Sequence, residues 1–177
     1  MMESATPQVN PGQRLFLALW PNDAVRQQLS VHAQHWTWPT GCVRYLSADW
    51  HVTLHYIGKV ATDQIPDLAA HVDMAVQPFE LRLDQPELWP HGLAVLVASE
   101  VPAPLHALRQ RLGEAVAGFG LPVEARPFRP HVTLARRAKE AIAPLMSAPV
   151  RWRANCYGLV ESTGSSDGRY RIIRQYG

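Results

Sequence analysis

The tetrapeptide His-Val-Thr-Leu occurs twice in this chain, at residues 51–54 and at residues 131–134. The ordinary pKa of histidine is about 6.5, so one imidazole can be neutral and another protonated at working pH. A neutral imidazole takes a proton from water, and a protonated one gives a proton to a leaving oxygen. A nearby threonine hydroxyl can donate to oxygens on which negative charge develops. The two motifs therefore predict acid–base cleavage of a phosphodiester.

Alternation along a β-strand places His51 and Thr53 on one face and the intervening valine on the other. The same holds for His131 and Thr133. Each motif therefore anchors an apolar face in a core and presents an imidazole and a hydroxyl to the opposite side. In-line attack needs the two histidines on opposite sides of the phosphorus, which a pseudo-two-fold axis supplies. We predict that the histidines are catalytic and that the threonines bind phosphate, without a metal or a cofactor.

A single His-x-Thr sequence is a common surface pattern, and it is the second copy that favours catalysis. The two copies lie 80 residues apart, and at the same shift the segment 15–18 falls opposite the segment 95–98. Each half then runs from an apolar strand through a helix and a linker to a strand with the HVTL motif. The repeat predicts two α+β lobes whose HVTL strands meet near the pseudo-two-fold axis.

Hydrophobic periodicity and breaker residues predict the elements that carry these motifs. Residues 1–12 are expected to be flexible, and residues 13–177 to form one bilobal domain with halves at about 13–78 and 79–177. The predicted strands are 14–20, 42–46, 51–58, 79–85, 93–99 and 131–135, with two more around 152–160 and 170–175. The predicted helices follow a cap at Asn22 or Asp23, span 63–76 and span 105–119.

The composition is that of a globular protein, with 47% hydrophobic and 18% charged residues. A net charge of +2 excludes a strongly basic nucleic-acid coat but permits a local basic groove. Lysine occurs only at Lys59 and Lys139, so arginine dominates; this suits phosphate recognition, and a high-GC genome would produce the same bias. Cys42 and Cys156 are expected to be reduced thiols. With no apolar run of about 20 residues, we expect a soluble, cytoplasmic monomer.

The sequence resembles the two-histidine (2H) phosphoesterase superfamily, defined by paired His-x-Thr-x motifs. Within it, the sequence is most similar to the RNA 2',3'-cyclic phosphodiesterase family, also called the 2'-5' RNA ligase family. The segments RLFLALWP, VRYLSADWHVTLHYIG, PFELRL and RPFRPHVTLAR carry this resemblance over nearly the whole chain. It implies a bilobal α+β fold with an active-site cleft between two antiparallel sheets and with outer helices. It also implies metal-free hydrolysis of a 2',3'-cyclic phosphate to a 2'-phosphate.

The resemblance also gives each histidine a role that the identical motifs cannot assign. In the family the first histidine donates a proton to the leaving 3' oxygen, and the second activates water. Carried over, His51 is the proton donor and His131 the proton acceptor. The implied substrates are RNA with a 2',3'-cyclic phosphate end, tRNA fragments among them, or small cyclic nucleotides.

Arg136 follows His131 by five residues, so on a regular strand it would point away from the cleft. It can bind phosphate only if the strand ends or bulges after Thr133, and the resemblance favours that role. Further candidates for substrate contact are Arg129, on the cleft side by parity with His131, and Arg44 and Tyr45 at the edge of the groove.

His55 stands where the family usually has lysine or another basic residue. By alternation it lies on the face of His51 and Thr53, where it could contact substrate; the alternative is a structural histidine. A His51–His55 metal pair would need a helix, because on a strand the two rings lie too far apart to chelate easily. The candidates for base stacking are Trp20, Trp50, Tyr56, Phe128 and Trp152, but for Trp50 and Phe128, which flank the motifs, packing in the core or the cleft wall is the favoured alternative.

Three alternatives to RNA end hydrolysis remain open from the sequence. The same site could join RNA halves through a 2'-5' bond, although water outnumbers RNA 5' hydroxyls. It could open a small cyclic nucleotide. From a different class, the chain could be a non-catalytic RNA- or nucleotide-binding module, but the two intact motifs favour catalysis.

Overall fold

The computed structural model describes residues 11–165 and 168–177, so most of the predicted flexible N-terminus lies outside the described residues. Among the residues described, the strands are β1 Gly12–Leu19, β2 Val43–Arg44, β3 Val52–Ala61, β4 Phe79–Trp89, β5 Leu93–Ala98, β6 His131–Arg136, β7 Val150–Ala154, β8 Tyr157–Ser162 and β9 Tyr170–Tyr176. The helices longer than one turn are α1 Asp23–Gln34, α2 Ile65–His71 and α3 Ala103–Gly118.

The strands form two antiparallel sheets, one in the order β3-β1-β8-β9 and the other in the order β2-β6-β5-β4-β7. The predicted α+β fold with two antiparallel sheets is confirmed. The HVTL strand β3 pairs with β1 in the first sheet, and the HVTL strand β6 pairs with β5 in the second. The sheets also exchange strands between the halves, because β8 and β9 complete the first sheet and β2 joins the edge of the second.

The single strand predicted around 152–160 is wrong, because this segment forms two strands in different sheets. β7 pairs with β4, whereas β8 pairs with β1. The chain crosses from one sheet to the other at residues 155–156. Trp152 and Tyr157 are both buried on either side of the crossing. The apolar pattern therefore continues through it and conceals the change of sheet.

The repeat is real at the motifs, but the predicted match of segment 15–18 with segment 95–98 is wrong. Thr53 pairs with Ala18, and Thr133 pairs with Val95, so the two inner strands correspond at a shift of 77 residues. Because 77 and 80 differ by an odd number, the predicted match exchanged the two faces of the strand. Apolar segments match each other at several shifts, and only the partner strand defines the right one.

The two faces of β1 have different surroundings. Leu15, Leu17 and Leu19 belong to the main core, which also takes in buried leucines of α3. Phe16 and Ala18 point the other way and form a small separate cluster. One face of this sheet thus packs under a helix and the other is left for the cleft.

The helices are placed outside the sheets by local signals. The side chain of Asn22 caps α1 as predicted, since its Oδ1 accepts from the backbone N–H of Val25 at 3.0 Å. The helix predicted over 63–76 is shorter, because α2 ends at His71. None of the helices in the described ranges is long and apolar enough to cross a membrane.

Candidate active site

Both HVTL strands bulge immediately after their threonine. In β3, Thr53 pairs with Ala18 and His55 with Leu17, so Leu54 is an extra residue. In β6, Val95 pairs with Thr133, but its neighbour Ala94 pairs with Ala135, so Leu134 is extra in the same way. A bulge shifts the alternation of the strand beyond it by one residue. Side chains after each threonine therefore face the opposite way from a regular strand.

The strand β6 bulges after Thr133, which is the condition under which Arg136 is expected to face the cleft. Ala135 pairs with Ala94 and shares its face, so Arg136 returns to the face of Thr133. The side chain of Arg136 is exposed at the end of the strand. Among the described residues no carboxylate forms an ion pair with it. In the described part of the chain its guanidinium thus has no carboxylate partner and lies on the face of Thr133, but Arg136 is not among the residues that line the cavity.

The bulge in β3 turns His55 away from the cleft, so the alternation predicted for this residue is wrong. His55 is only 3% exposed and lies against α3. Its Nε2 lies 2.7 Å from the backbone carbonyl oxygen of Arg109, which can only accept, so Nε2 carries the proton. A Cβ on Gly113 would lie 3.1 Å from the imidazole. His55 therefore joins β3 to α3, and the structural alternative describes it better than substrate contact.

The four motif side chains line one small cavity between the two sheets. His51, Thr53, His131 and Thr133 all reach it, and each is half-buried. The cavity has a volume of about 90 Å³. The remaining lining residues are Tyr45, Asp49 and Tyr170.

Each catalytic candidate is held in the same way by the backbone two residues before it. His51 Nδ1 lies 2.7 Å from the carbonyl oxygen of Asp49, and His131 Nδ1 lies 2.7 Å from that of Arg129. A carbonyl accepts only, so Nδ1 must carry the hydrogen in both rings. Nε2 is then the atom left to exchange a proton with a bound group. The pair is preorganised for acid–base chemistry by two equivalent hydrogen bonds.

The rings around the two imidazoles differ. Trp20 stacks on His51 at 5.2 Å with an interplanar angle of 1°, and Tyr170 meets the same imidazole edge-on at 5.0 Å. Phe16 closes this aromatic box at 5.0 Å. Among the aromatic rings of the described residues, His131 contacts that of Trp89 alone, with ring centroids 4.4 Å apart. His51 thus has the more apolar environment.

Charged groups lie near His131 instead. Glu87 accepts from Arg129 at 2.7 Å and from the indole N–H of Trp89 at 2.6 Å. This carboxylate therefore fixes the two side chains that flank His131.

Burial lowers the pKa of both histidines. It lowers the pKa of His51 to about 4, against the raising effect of its hydrogen bond to Asp49, and the nearby His131 lowers it further. Burial also lowers the pKa of His131; the hydrogen bond to the backbone carbonyl of Arg129 raises it, the charge of the Arg129 guanidinium lowers it and the charge of Glu87 raises it. Both imidazoles are then neutral near pH 7 in the ligand-free protein. A bound phosphate anion would favour the protonated form of either.

These shifts predict the pH dependence of activity. Catalysis needs one protonated and one neutral imidazole, and in the free enzyme both become neutral above pH 6.5. The profile of kcat/KM, which reports the free enzyme, should therefore be bell-shaped with its maximum below pH 6.5. The kcat profile should have its maximum at higher pH, because the bound anion raises both pKa values. Measuring both constants between pH 4 and 8 checks this, and coincident maxima above pH 7 would contradict it.

Two of the other three predicted contacts, Tyr45 and Arg129, lie at the edges of the cleft. Tyr45 lines it, and the guanidinium of Arg169 lies 4.8 Å over the Tyr45 ring. Arg129 is held by its ion pair with Glu87 and contributes its carbonyl to His131. Arg44 is exposed in β2 and pairs in register with Ala135, on the face opposite Arg136, so the structure does not bring it to the cavity.

Sequence reasoning missed Tyr170 and Trp89. Tyr170 belongs to β9 and reaches the cavity because that strand joins the first sheet. Burial raises its pKa, so its hydroxyl keeps its proton at neutral pH and can donate. Trp89 comes from the end of β4. Neither lies near a motif along the chain, and only the strand order brings them to the histidines.

Within residues 11–165 and 168–177, no group of three His, Cys, Asp or Glu side chains is placed to hold a metal ion. Cys42 and Cys156 are free thiols. That the chemistry at the catalytic histidines is metal-free stays a prediction.

Two antiparallel sheets that present paired His-x-Thr motifs to one cleft define a two-histidine phosphoesterase. The chain belongs to the 2'-5' RNA ligase superfamily, whose family model matches residues 23–159. The resemblance to this family that the paired motifs predict is thereby confirmed.

The relatives agree with this assignment. The chain is 33% identical to the RNA 2',3'-cyclic phosphodiesterase of Escherichia coli K12 over 133 residues, which are 73% of this chain and 75% of the relative. It is 27% identical to the Bacillus subtilis protein of the same name over 139 residues, 72% of this chain and 76% of that one. The predicted class of enzyme, a phosphoric diester hydrolase, is confirmed.

Solved structures show the same fold. E. coli LigT in its apo form has a TM-score of 0.79 at 25% identity, over 94% of this chain and 97% of that one. A protein from Thermus thermophilus has a TM-score of 0.72 at 26% identity, over 92% and 96% of the two chains. LigT has also been solved in complex with 3'-AMP, again with a TM-score of 0.79 at 25% identity, over 93% of this chain and 97% of LigT.

Proposed function

We propose that this protein hydrolyses the terminal 2',3'-cyclic phosphate of an RNA to a 2'-phosphate, with His51 and His131 as a metal-free acid–base pair. One observation carries the proposal. Two imidazoles, each held through Nδ1 by a backbone carbonyl, line one cavity with two threonine hydroxyls. This arrangement has the groups that in-line hydrolysis of a phosphodiester requires.

The reaction proceeds in one displacement at phosphorus. Nε2 of His131 takes a proton from water as the water oxygen bonds to phosphorus. The bond from phosphorus to the 3' oxygen breaks, and Nε2 of His51 gives its proton to that oxygen. The product keeps the phosphate on the 2' oxygen and has a free 3' hydroxyl. This polarity follows the family resemblance.

The phosphate oxygens have their own donors. Thr53 and Thr133 lie on the cavity wall and donate to the non-bridging oxygens, where charge develops in the transition state. Arg136, on the same face as Thr133, adds a guanidinium that can bind two oxygens at once. Tyr170 adds a hydroxyl from the opposite sheet.

The names of the relatives support the substrate. Both curated relatives are RNA 2',3'-cyclic phosphodiesterases, and LigT binds 3'-AMP in its solved complex. We extend the same substrate class to this chain, an RNA end or a small nucleotide with a 2',3'-cyclic phosphate. That the enzyme acts as a cytoplasmic monomer also stays a prediction.

The test is a product assay in EDTA. A short RNA ending in a 2',3'-cyclic phosphate should be converted to an RNA with a 2'-phosphate, identified by ³¹P NMR, and EDTA should not change the rate. A 3'-phosphate product would contradict the direction of ring opening. Loss of activity in EDTA that added metal restores would contradict the metal-free mechanism.

A further inference from the structure

A second, larger groove continues from the catalytic cavity at its His131 end. The two cavities share Thr53 and His131, so they adjoin each other. The groove has a volume of about 540 Å³. This lies within the range of about 300–1,000 Å³ typical of sites for small organic ligands. Attack by water on a phosphate requires no space of this kind.

Tyr56 stands on the catalytic face of β3 within this groove. It pairs in register with Phe16, whose ring faces the histidine cleft. The bulge after Thr53 therefore leaves His51, Thr53 and Tyr56 on one face of the strand. The Tyr56 side chain is 53% exposed, which is unusual for a ring on an inner face. Nothing in the described chain covers it.

Two guanidinium groups lie over the other rings of the groove. That of Arg109 lies 4.5 Å over Phe128, and that of Arg129 lies 5.2 Å over Trp89. Arg109 is also held by the backbone carbonyl of Leu54 at 3.3 Å. Rings and guanidinium planes fixed in this way form surfaces on which a flat group can stack.

Two of the three arginines that line the groove have carboxylate partners, and the third, Arg109, lies over the ring of Phe128 and donates to the carbonyl oxygen of Leu54. Arg129 is bound to Glu87, and Arg126 forms an ion pair with Glu124. Arginines with carboxylate partners are poor sites for a second phosphate, whereas their flat faces remain open to a nucleobase. The groove therefore suits a base better than an additional phosphate.

We infer that this groove binds a nucleobase of the RNA whose cyclic phosphate lies in the cavity, by stacking on Tyr56, Phe128 and Trp89. The inference rests on the proposed function for its substrate class. On this inference, residues outside the two motifs make the enzyme prefer RNA ends to cyclic phosphates that have no base. Stacking tolerates any base, so the groove confers affinity without a sequence preference.

The test compares two substrates in each variant. One is a dinucleotide with a 2',3'-cyclic phosphate end, and the other is glycerol 1,2-cyclic phosphate, which has the same five-membered ring and no base. In Tyr56→Leu and in Phe128→Leu, the ratio of kcat/KM for the dinucleotide to kcat/KM for the glycerol substrate should fall about tenfold. Tyr56→Phe, which retains the ring, should retain the ratio.

A matched control is Phe119→Leu, because Phe119 is a half-buried ring that does not line the groove. Its ratio should equal that of the wild type. An unchanged ratio in both Tyr56→Leu and Phe128→Leu would overturn the inference, and so would an equal loss on the two substrates.

Binding without turnover separates this inference from the proposed function. By calorimetry, the dinucleotide with a 2'-phosphate end should bind wild type about tenfold more tightly than Tyr56→Leu, whereas glycerol 2-phosphate should bind both equally. This difference would support the groove even if neither cyclic phosphate were hydrolysed. Equal affinities of the dinucleotide would overturn the groove even if hydrolysis were confirmed.

Discussion

His51→Ala and His131→Ala should each lower kcat/KM for a cyclic-phosphate RNA end by about 10²–10⁴-fold. This is the usual contribution of one positioned general acid or base. Each imidazole lines the cavity with Nε2 free, and no other histidine of the described chain lines it. A neighbouring ring therefore cannot replace the missing one. Steady-state kinetics on a short RNA measures the effect.

The double variant should be little worse than the weaker single variant. The effects of substituting groups that act in the same transition state are strongly non-additive, because once the first substitution is made the second removes little further catalysis. His106→Ala is the matched control, since His106 is exposed on α3 away from the cavity. Near wild-type activity in either single variant, with the thermal unfolding midpoint unchanged, would contradict the acid–base pair.

Local alternation was enough to predict which side chains of each motif face the cleft. His51 and Thr53 precede the bulge in β3, so the period of two still holds for them. It fails at His55, immediately beyond the bulge. No residue type in HVTLHY differs from what a regular strand accepts, so the sequence has no signal for the extra residue. The bulge is defined by the partner strand, which local patterns do not report.

The same limit applies to residues contributed by distant strands. Tyr170 and Trp89 contact the two histidines because β9 and β4 lie in sheets that each contain one HVTL strand. Strand order is a property of the whole fold, and the sequence repeat extends only to the motif strands and their neighbours. The family resemblance predicted the architecture of two sheets, but not the side chains that β9 and β4 would bring.

The sequence also could not predict the pKa values of the two histidines, although these values decide which imidazole is protonated. Two identical motifs predict two equivalent histidines. In the structure, burial lowers the pKa of His51 to about 4, whereas His131 lies near both the Arg129 guanidinium, which lowers its pKa, and the Glu87 carboxylate, which raises it. Burial lowers both pKa values, so both imidazoles favour the neutral form before substrate binds. The proposed role of His51 as proton donor then requires the bound phosphate to raise its pKa.

The direction of proton transfer can be tested by changing the leaving atom. In a dinucleotide whose ring has sulfur in place of the 3' oxygen, the leaving group is a thiolate. A thiol has a pKa of about 8.5, so the thiolate departs without a proton. The proposed polarity predicts that His51→Ala recovers most of its loss of about 10²–10⁴-fold on this substrate. His131→Ala should remain slow, because water still needs a base.

The comparison is made as the ratio of kcat/KM on the sulfur substrate to kcat/KM on the oxygen substrate, in wild type and in both variants. A large rise of this ratio in His51→Ala alone establishes His51 as the acid. A rise in His131→Ala alone would exchange the two roles. No rise in either variant would contradict general-acid catalysis at this site. In each case the result would turn a polarity taken from the family into one measured on this chain.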